Sequence, residues 1–148
     1  MKTRLPYLML ILIAGMGLSS CTIQESTDYR ITVHNLMYAD LYVSGHHLPF
    51  QEFDVLEIFF NEKVLTDITI GEVSRPIPLS QGVAYTISLS YRAYLYNLDT
   101  GKWEHNYDGF KELGTEIWGA GECMNQVLEL RIGDLFTGYA PEYEIFCQ

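Results

Sequence analysis

The chain has 148 residues, with 9 Lys and Arg against 19 Asp and Glu, and a formal charge of −10 at pH 7. That length holds one domain with a sizeable core. The acidic balance argues against a nucleic-acid ligand and against adhesion to anionic lipid headgroups, since both need basic patches. Cationic partners, sugars and divalent ions remain compatible with it, and the acids also serve simply to keep a tethered domain soluble.

At the N-terminus Lys2 and Arg4 supply positive charge, and Leu8 to Leu18 form an apolar run too short for a comfortable membrane span. The segment closes on Leu18-Ser19-Ser20-Cys21, small residues before a cysteine. It resembles the lipobox of bacterial lipoproteins. The resemblance implies a signal peptide over residues 1–20, cleavage before Cys21, a diacylglyceryl thioether carrying palmitate-type chains on its sulfur, and an acylated new N-terminus. The chain is then held by this lipid in the bacterial cell envelope, and Thr22 after the cysteine points to the outer membrane. An ordinary secretory signal and an uncleaved N-terminal anchor are the competing readings.

Loss of Lys2 and Arg4 leaves seven basic residues against 19 acidic ones in a mature chain of 128 residues, a charge of −12. With Cys21 assigned to lipid, Cys123 and Cys147 remain as one disulfide pair, closing a loop of about 25 residues worth roughly 3 kcal/mol. Two buried free thiols are the alternative. Residues 22–28 are polar and aperiodic, so 21–28 reads as the lipidated cysteine and its tether. At about 3.5 Å per residue that tether spans at most roughly 25 Å and keeps the domain 29–148 close to the membrane.

From residue 29 onward the pattern has period two, broken at Gly, Pro, Asn and Asp, and no window carries a helical apolar stripe. Tyr29, Ile31 and Val33 form one inward face; Ala39, Leu41 and Val43 form another before the Ser44-Gly45 turn. Leu56, Ile58 and Phe60 share a face, Asn61-Glu62-Lys63 turns, and Val64, Thr66, Ile68 and Ile70 run back. Pro76 and Pro78 interrupt the ladder. The longest strand follows Gly82, with Val83, Tyr85, Ile87, Leu89, Tyr91, Ala93 and Leu95 inward and Arg92, Tyr94 and Tyr96 outward.

A three-residue loop, Asp99-Thr100-Gly101, predicts a hairpin that pairs Leu98 with Lys102, Tyr96 with Glu104, Ala93 with Tyr107 and Arg92 with Asp108. On that register Glu104 joins Arg92, Tyr94 and Tyr96 outside, while Trp103 and Tyr107 turn inward. Residues 109–122, with four glycines, read as a long loop carrying Phe110, Ile117 and Trp118. Strands at Met124 to Ile132 and Tyr143 to Cys147 complete the chain.

About eight short strands with a proline-broken middle predict an all-β domain, a single antiparallel two-sheet sandwich. ITVHNLMYADLYVSG (31–45) ends a strand in a V-x-G turn, and GEVSRPIPLSQGVAYTISL (71–89) contains L-x-x-G-x-x-Y-x-I-x-L. These motifs resemble small immunoglobulin-like modules of bacterial surface proteins. The resemblance implies an immunoglobulin-like β-sandwich and brings no catalytic residues with it.

Catalytic motifs are missing: there is no Gly-x-Ser-x-Gly elbow, phosphate-binding glycine loop or Cys-x-x-Cys. His46-His47 with Glu52, Asp54 and His34 is the best metal-like cluster, but adjacent residues on a strand point to opposite sides, so solvated turn histidines are the ordinary reading. No Asp-x-Asp-x-Asp-Gly calcium loop occurs, and no cofactor or metal is expected.

The aromatics are the strongest remaining signal: 11 Tyr, 7 Phe and 2 Trp. Tyr94 and Tyr96 beside Arg92 and Glu104, with Trp118 in its glycine-rich loop, are the candidate binding residues. Tyrosine is also an ordinary strand residue. The expectation is a non-enzymatic binding lipoprotein whose partner is an envelope protein; a glycan, or a basic enzyme such as lysozyme that the acidic domain inhibits, is the alternative. Cys21→Ala should leave the precursor uncleaved and unlabelled by radioactive palmitate; continued labelling would refute the anchor.

Overall fold

The computed structural model describes residues 28–119, 122–133 and 140–148. The signal segment, Cys21 and tether residues 22–27 lie outside the described residues. Among the described residues nine strands account for the regular structure: β1 Asp28–Asn35, β2 Tyr38–Val43, β3 His46–Phe60, β4 Lys63–Ile68, β5 Ile77–Ser80, β6 Ala84–Asn97, β7 Lys102–Ile117, β8 Asn125–Ile132 and β9 Pro141–Cys147. Two sheets pack face to face. One has the order β5-β1-β8-β9; the other runs β2-β3-β6-β7, with β4 sharing the β2 side of β3. The sandwich is all-β as expected, with one departure from an antiparallel pattern: β1 and β8 run parallel, pairing Arg30 with Asn125 through Asn35 with Leu130.

Alternation builds the core where it was legible. Tyr29, Ile31 and Val33 of β1, Ile87 and Leu89 of β6, and Leu128 and Leu130 of β8 are buried. They meet Phe53, Val55, Ile58 and Phe60 of β3 between the sheets. The Ser44-Gly45 turn forms as expected, both residues at positive φ (51° and 84°), which suits the twist of a two-residue hairpin. The returning strand starts at once, so β3 is 15 residues long and includes His46 and His47, opposite Val43 and Tyr42. Pro78 is tolerated because β5 is an edge strand, where a missing N–H breaks no second ladder.

Three expected facings and one expected loop are corrected. Leu56 sits at a register shift between Val55 and Glu57, so the inward face of β3 is carried past it to Ile58. In β4 the buried residues are Leu65 and Ile68. Asp67 takes a positive φ of 55° and switches the face between them, leaving Val64 and Thr66 outside. Val83 lies before β6 begins and is exposed. Residues 109–117, expected in a loop, are the second half of β7, paired with β6 as far as Ile117 opposite Ala84.

The glycines that hid this strand have cross-strand reasons. Gly109 pairs with Tyr91, whose ring lies where a Cβ would stand, 2.4 Å away. That ring packs edge-on against Phe53 and Tyr107. A Cβ on Gly114 would come within 2.9 Å of the Tyr143 hydroxyl, reaching over from β9. Tyr143 donates to Glu116 at 2.6 Å, which ties the edge strands of the two sheets. Burial and that bond push the Tyr143 hydroxyl up to about 12.

Between the sheets the amide of Asn35, fully buried at the end of β1, makes three bonds. Its Nδ2 donates to Phe53 O at 2.9 Å and to Ile68 O at 2.8 Å, and its Oδ1 accepts from Met37 N at 3.1 Å. Its backbone is used as well, donating to Glu72 O at 3.0 Å and accepting from Gly71 N at 2.7 Å. Removal of the amide strands three buried backbone groups, each costing about 1–3 kcal/mol if left unmet. Asn35→Ala should therefore lower stability by about 3 kcal/mol in urea unfolding; a loss well under about 1 kcal/mol would show that water replaces the amide.

Candidate functional site

The outer face of the five-stranded sheet collects the charged and aromatic side chains that face away from the core. Alternation in β6 places Arg92, Tyr94 and Tyr96 there, opposite the side that buries Ala93. On β3 the same side carries Glu52, paired with Tyr94, and Asp54, paired with Arg92. Tyr38 of β2 stands opposite Glu52. Two rows therefore cross the sheet: Tyr38, Glu52, Tyr94 and His105 in one, and Asp54, Arg92 and Asp108 in the other.

Local contacts order these rows. Arg92 Nε donates to Asp108 Oδ1 at 2.9 Å and Nη2 to Oδ2 at 3.4 Å, a forked pair. His105 Nε2 stands 3.1 Å from the same Oδ1. These bonds, from Arg92 first and then His105, hold the Asp108 carboxyl below the usual carboxylate range. The Tyr94 and His105 rings meet edge-on with centroids 6.4 Å apart, and Tyr96 and Trp103 do so at 5.2 Å. Asp54 is occupied, accepting from Ile70 N at 3.3 Å.

The outer position of Trp103 corrects the expected register. Arg92 pairs with Asp108 and Ala93 with Tyr107 as anticipated, but a shift follows at once, and Tyr94 pairs with His105, Leu95 with Glu104 and Tyr96 with Trp103. Asn106 is the extra residue. The connection is four residues, Leu98 to Gly101, closed by Gly101 N donating to Asn97 O at 2.8 Å. The Asn97 side chain accepts from Asp99 N at 2.9 Å and Thr100 N at 3.1 Å. That Asx turn is the sequence signal for the longer loop: an asparagine two residues before Asp-Thr-Gly. Glu104 accordingly leaves the outer row and accepts from Asn97 Nδ2 at 2.9 Å.

Trp118 is also placed differently. It is 2% exposed, packed edge-on against Tyr85 with centroids 5.8 Å apart. Its indole N–H donates to Gln126 Oε1, whose amide donates to Cys123 O at 3.0 Å. Tyr29 donates from its hydroxyl to Gly119 O. Trp118 is thus a core residue, not a surface ring. Cys123 and Cys147 are bonded, with Cα atoms 5.8 Å apart, so this end of the chain is pinned to β8 as expected.

No family model matches the chain, and neither a curated protein nor a solved structure is significantly similar to it. The reading of the face rests on its own geometry.

Among the described residues no group of three or more His, Cys, Asp or Glu side chains is arranged to hold a metal ion. What the face offers is edge-on ring pairs, a forked ion pair and a half-buried carboxylate with acids for neighbours. Glu52 is that carboxylate. Burial, and then Asp54 and Asp40, push it above the ordinary range. A carboxyl raised in the folded state removes stability as pH climbs from its unfolded value through the raised one. Glu52→Gln should therefore raise the melting temperature at pH 7 and leave it nearly unchanged at pH 3, where the acid is protonated folded and unfolded. A fall at pH 7 would mean that ionised Glu52 is held by a partner.

Proposed function

We propose that the chain is a lipid-anchored, extracytoplasmic binding module of the bacterial envelope that acts by recognition rather than catalysis, docking a protein on the outer face of its five-stranded sheet. The observation that carries this reading is the pair of edge-on ring contacts on that face, Tyr94 with His105 and Tyr96 with Trp103, beside the Arg92–Asp108 fork. Aromatic residues and arginine are the side chains that concentrate binding energy at protein interfaces, and rings fixed before contact lose little entropy on docking. Glu52, Asp54 and Asp108 outnumber Arg92 here, which favours a partner that is basic at its contact patch.

Trp103 lends specific support to a second reading, a carbohydrate ligand, because it adds an indole next to Tyr96 within a face that also carries carboxylates. The planes of the two rings are inclined by 68°, so they do not form one flat stacking platform. Protein binding is preferred for that reason.

Tyr94→Ala combined with Tyr96→Ala should abolish capture of the partner from envelope extract by residues 22–148, with only about 1–2 kcal/mol lost in stability, the scale of two exposed ring pairs. A glycan array run with the same two proteins separates the readings: glycan binding lost in the double variant favours the carbohydrate. Capture that survives both substitutions rules out this face.

A further inference from the structure

One end of the sandwich, the end where the chain enters from its N-terminal segment, is rimmed by large apolar side chains that the core does not use. β1 begins there at Asp28, opposite Ser80, and Arg30 N donates to Met124 O at 2.7 Å. Gly82 N donates to Trp118 O at 2.8 Å; Val83 comes next, and Ala84 after it pairs with Ile117. Phe146 pairs with Val127 and precedes Cys147, which is bonded to Cys123 immediately before Met124. Ladder and disulfide thus bring Val83, Ile117, Met124 and Phe146 to one end of the sandwich, Ile117 on the outer side of the five-stranded sheet and Phe146 on that of the four-stranded one. They are 40%, 58%, 53% and 43% exposed.

We infer that this rim is a membrane-contacting foot: Val83, Ile117, Met124 and Phe146 rest in the headgroup region of the bilayer that holds Cys21. The inference rests on the lipid-anchor reading above. Only seven peptide steps separate Cys21 from Asp28, at most roughly 25 Å, so the end that carries β1's start is the one held at the lipid surface. A tether this short keeps the foot at a high effective concentration against the bilayer, where even a weak interfacial preference suffices.

Charge selects the lipid. Glu116 and Glu122 flank the rim, Arg30 and Lys63 stand at the same end, and the mature chain carries an excess of acids, so the foot fits a zwitterionic surface such as phosphatidylethanolamine better than an anionic one. The geometry also orients the candidate face. β6 runs from Ala84 at the foot to Tyr96 near the hairpin tip, twelve steps that carry the paired rings roughly 40 Å outward at about 3.3 Å each.

The test uses the full chain, purified after processing and reconstituted into phosphatidylethanolamine–phosphatidylcholine vesicles. Ile117→Cys and, separately, Leu98→Cys at the hairpin tip each carry an environment-sensitive fluorophore, with Val83→Cys as a second foot position. The expected result is co-flotation of all three, a blue shift and quenching by brominated acyl chains at positions 117 and 83, and neither effect at 98. Raising the share of phosphatidylglycerol should weaken the foot signals. Co-flotation with positions 117 and 83 as wet as 98 overturns the foot and leaves the anchor standing. A chain that neither floats nor carries lipid overturns the anchor, and the foot with it.

Discussion

The buried amide of Asn35 is the joint on which the two sheets agree. β1 belongs to the four-stranded sheet, while Phe53 and Ile68 belong to the other. A single side chain meets carbonyls from both β3 and the end of β4. Apolar packing alone is non-directional and would let two faces slide across one another; hydrogen bonds in a dry interior have defined partners and penalise displacement. Asn35 therefore sets where β3 crosses β1.

The long β6–β7 hairpin converts that fixed frame into a surface. Fourteen residues of β6 offer a template that β7 matches over its length only by accommodating two register shifts, one between Ile87 and Ser88 and one between Ala93 and Tyr94. The second decides the chemistry of the outer face. Without the extra Asn106, Trp103 would point to the inner side of the hairpin and Glu104 would stand beside Tyr96. With it, an indole replaces a carboxylate in the row, and the acidic character of the face rests on Glu52, Asp54 and Asp108.

Polarity is also distributed by height. The end where β1 begins carries exposed apolar residues, the Cys123–Cys147 bond and the Tyr29, Tyr85 and Trp118 cluster, whose polar atoms are all used internally. The far half of the hairpin carries ring pairs and the ion pair, which are half-buried or exposed.

Much of this was legible in the amino-acid order because it depends on local rules. Period-two alternation determined the all-β class and the inward faces of β1, β6 and β8; Ser44-Gly45 specified a two-residue turn; and Arg92 stands opposite Asp108 as counted from the glycine turn because the extra loop residue and the bulge at Asn106 cancel. Cysteine parity identified the Cys123–Cys147 pair once Cys21 was set aside. Tertiary structure alone decided the rest. Gly109 and Gly114 read as loop residues until the Tyr91 and Tyr143 rings that occupy their missing side-chain space are seen. Trp118 reads as a surface ring until Tyr85 and Gln126 enclose it. Trp103 and Glu104 exchange roles because the connection is one residue longer than a three-residue loop, and the bulge at Asn106 then restores the expected pairs from Ala93–Tyr107 onward. Alternation is a property of neighbours along one strand, whereas bulges, covered glycines and buried indoles are set by contacts between residues far apart in the chain, and no local pattern encodes those.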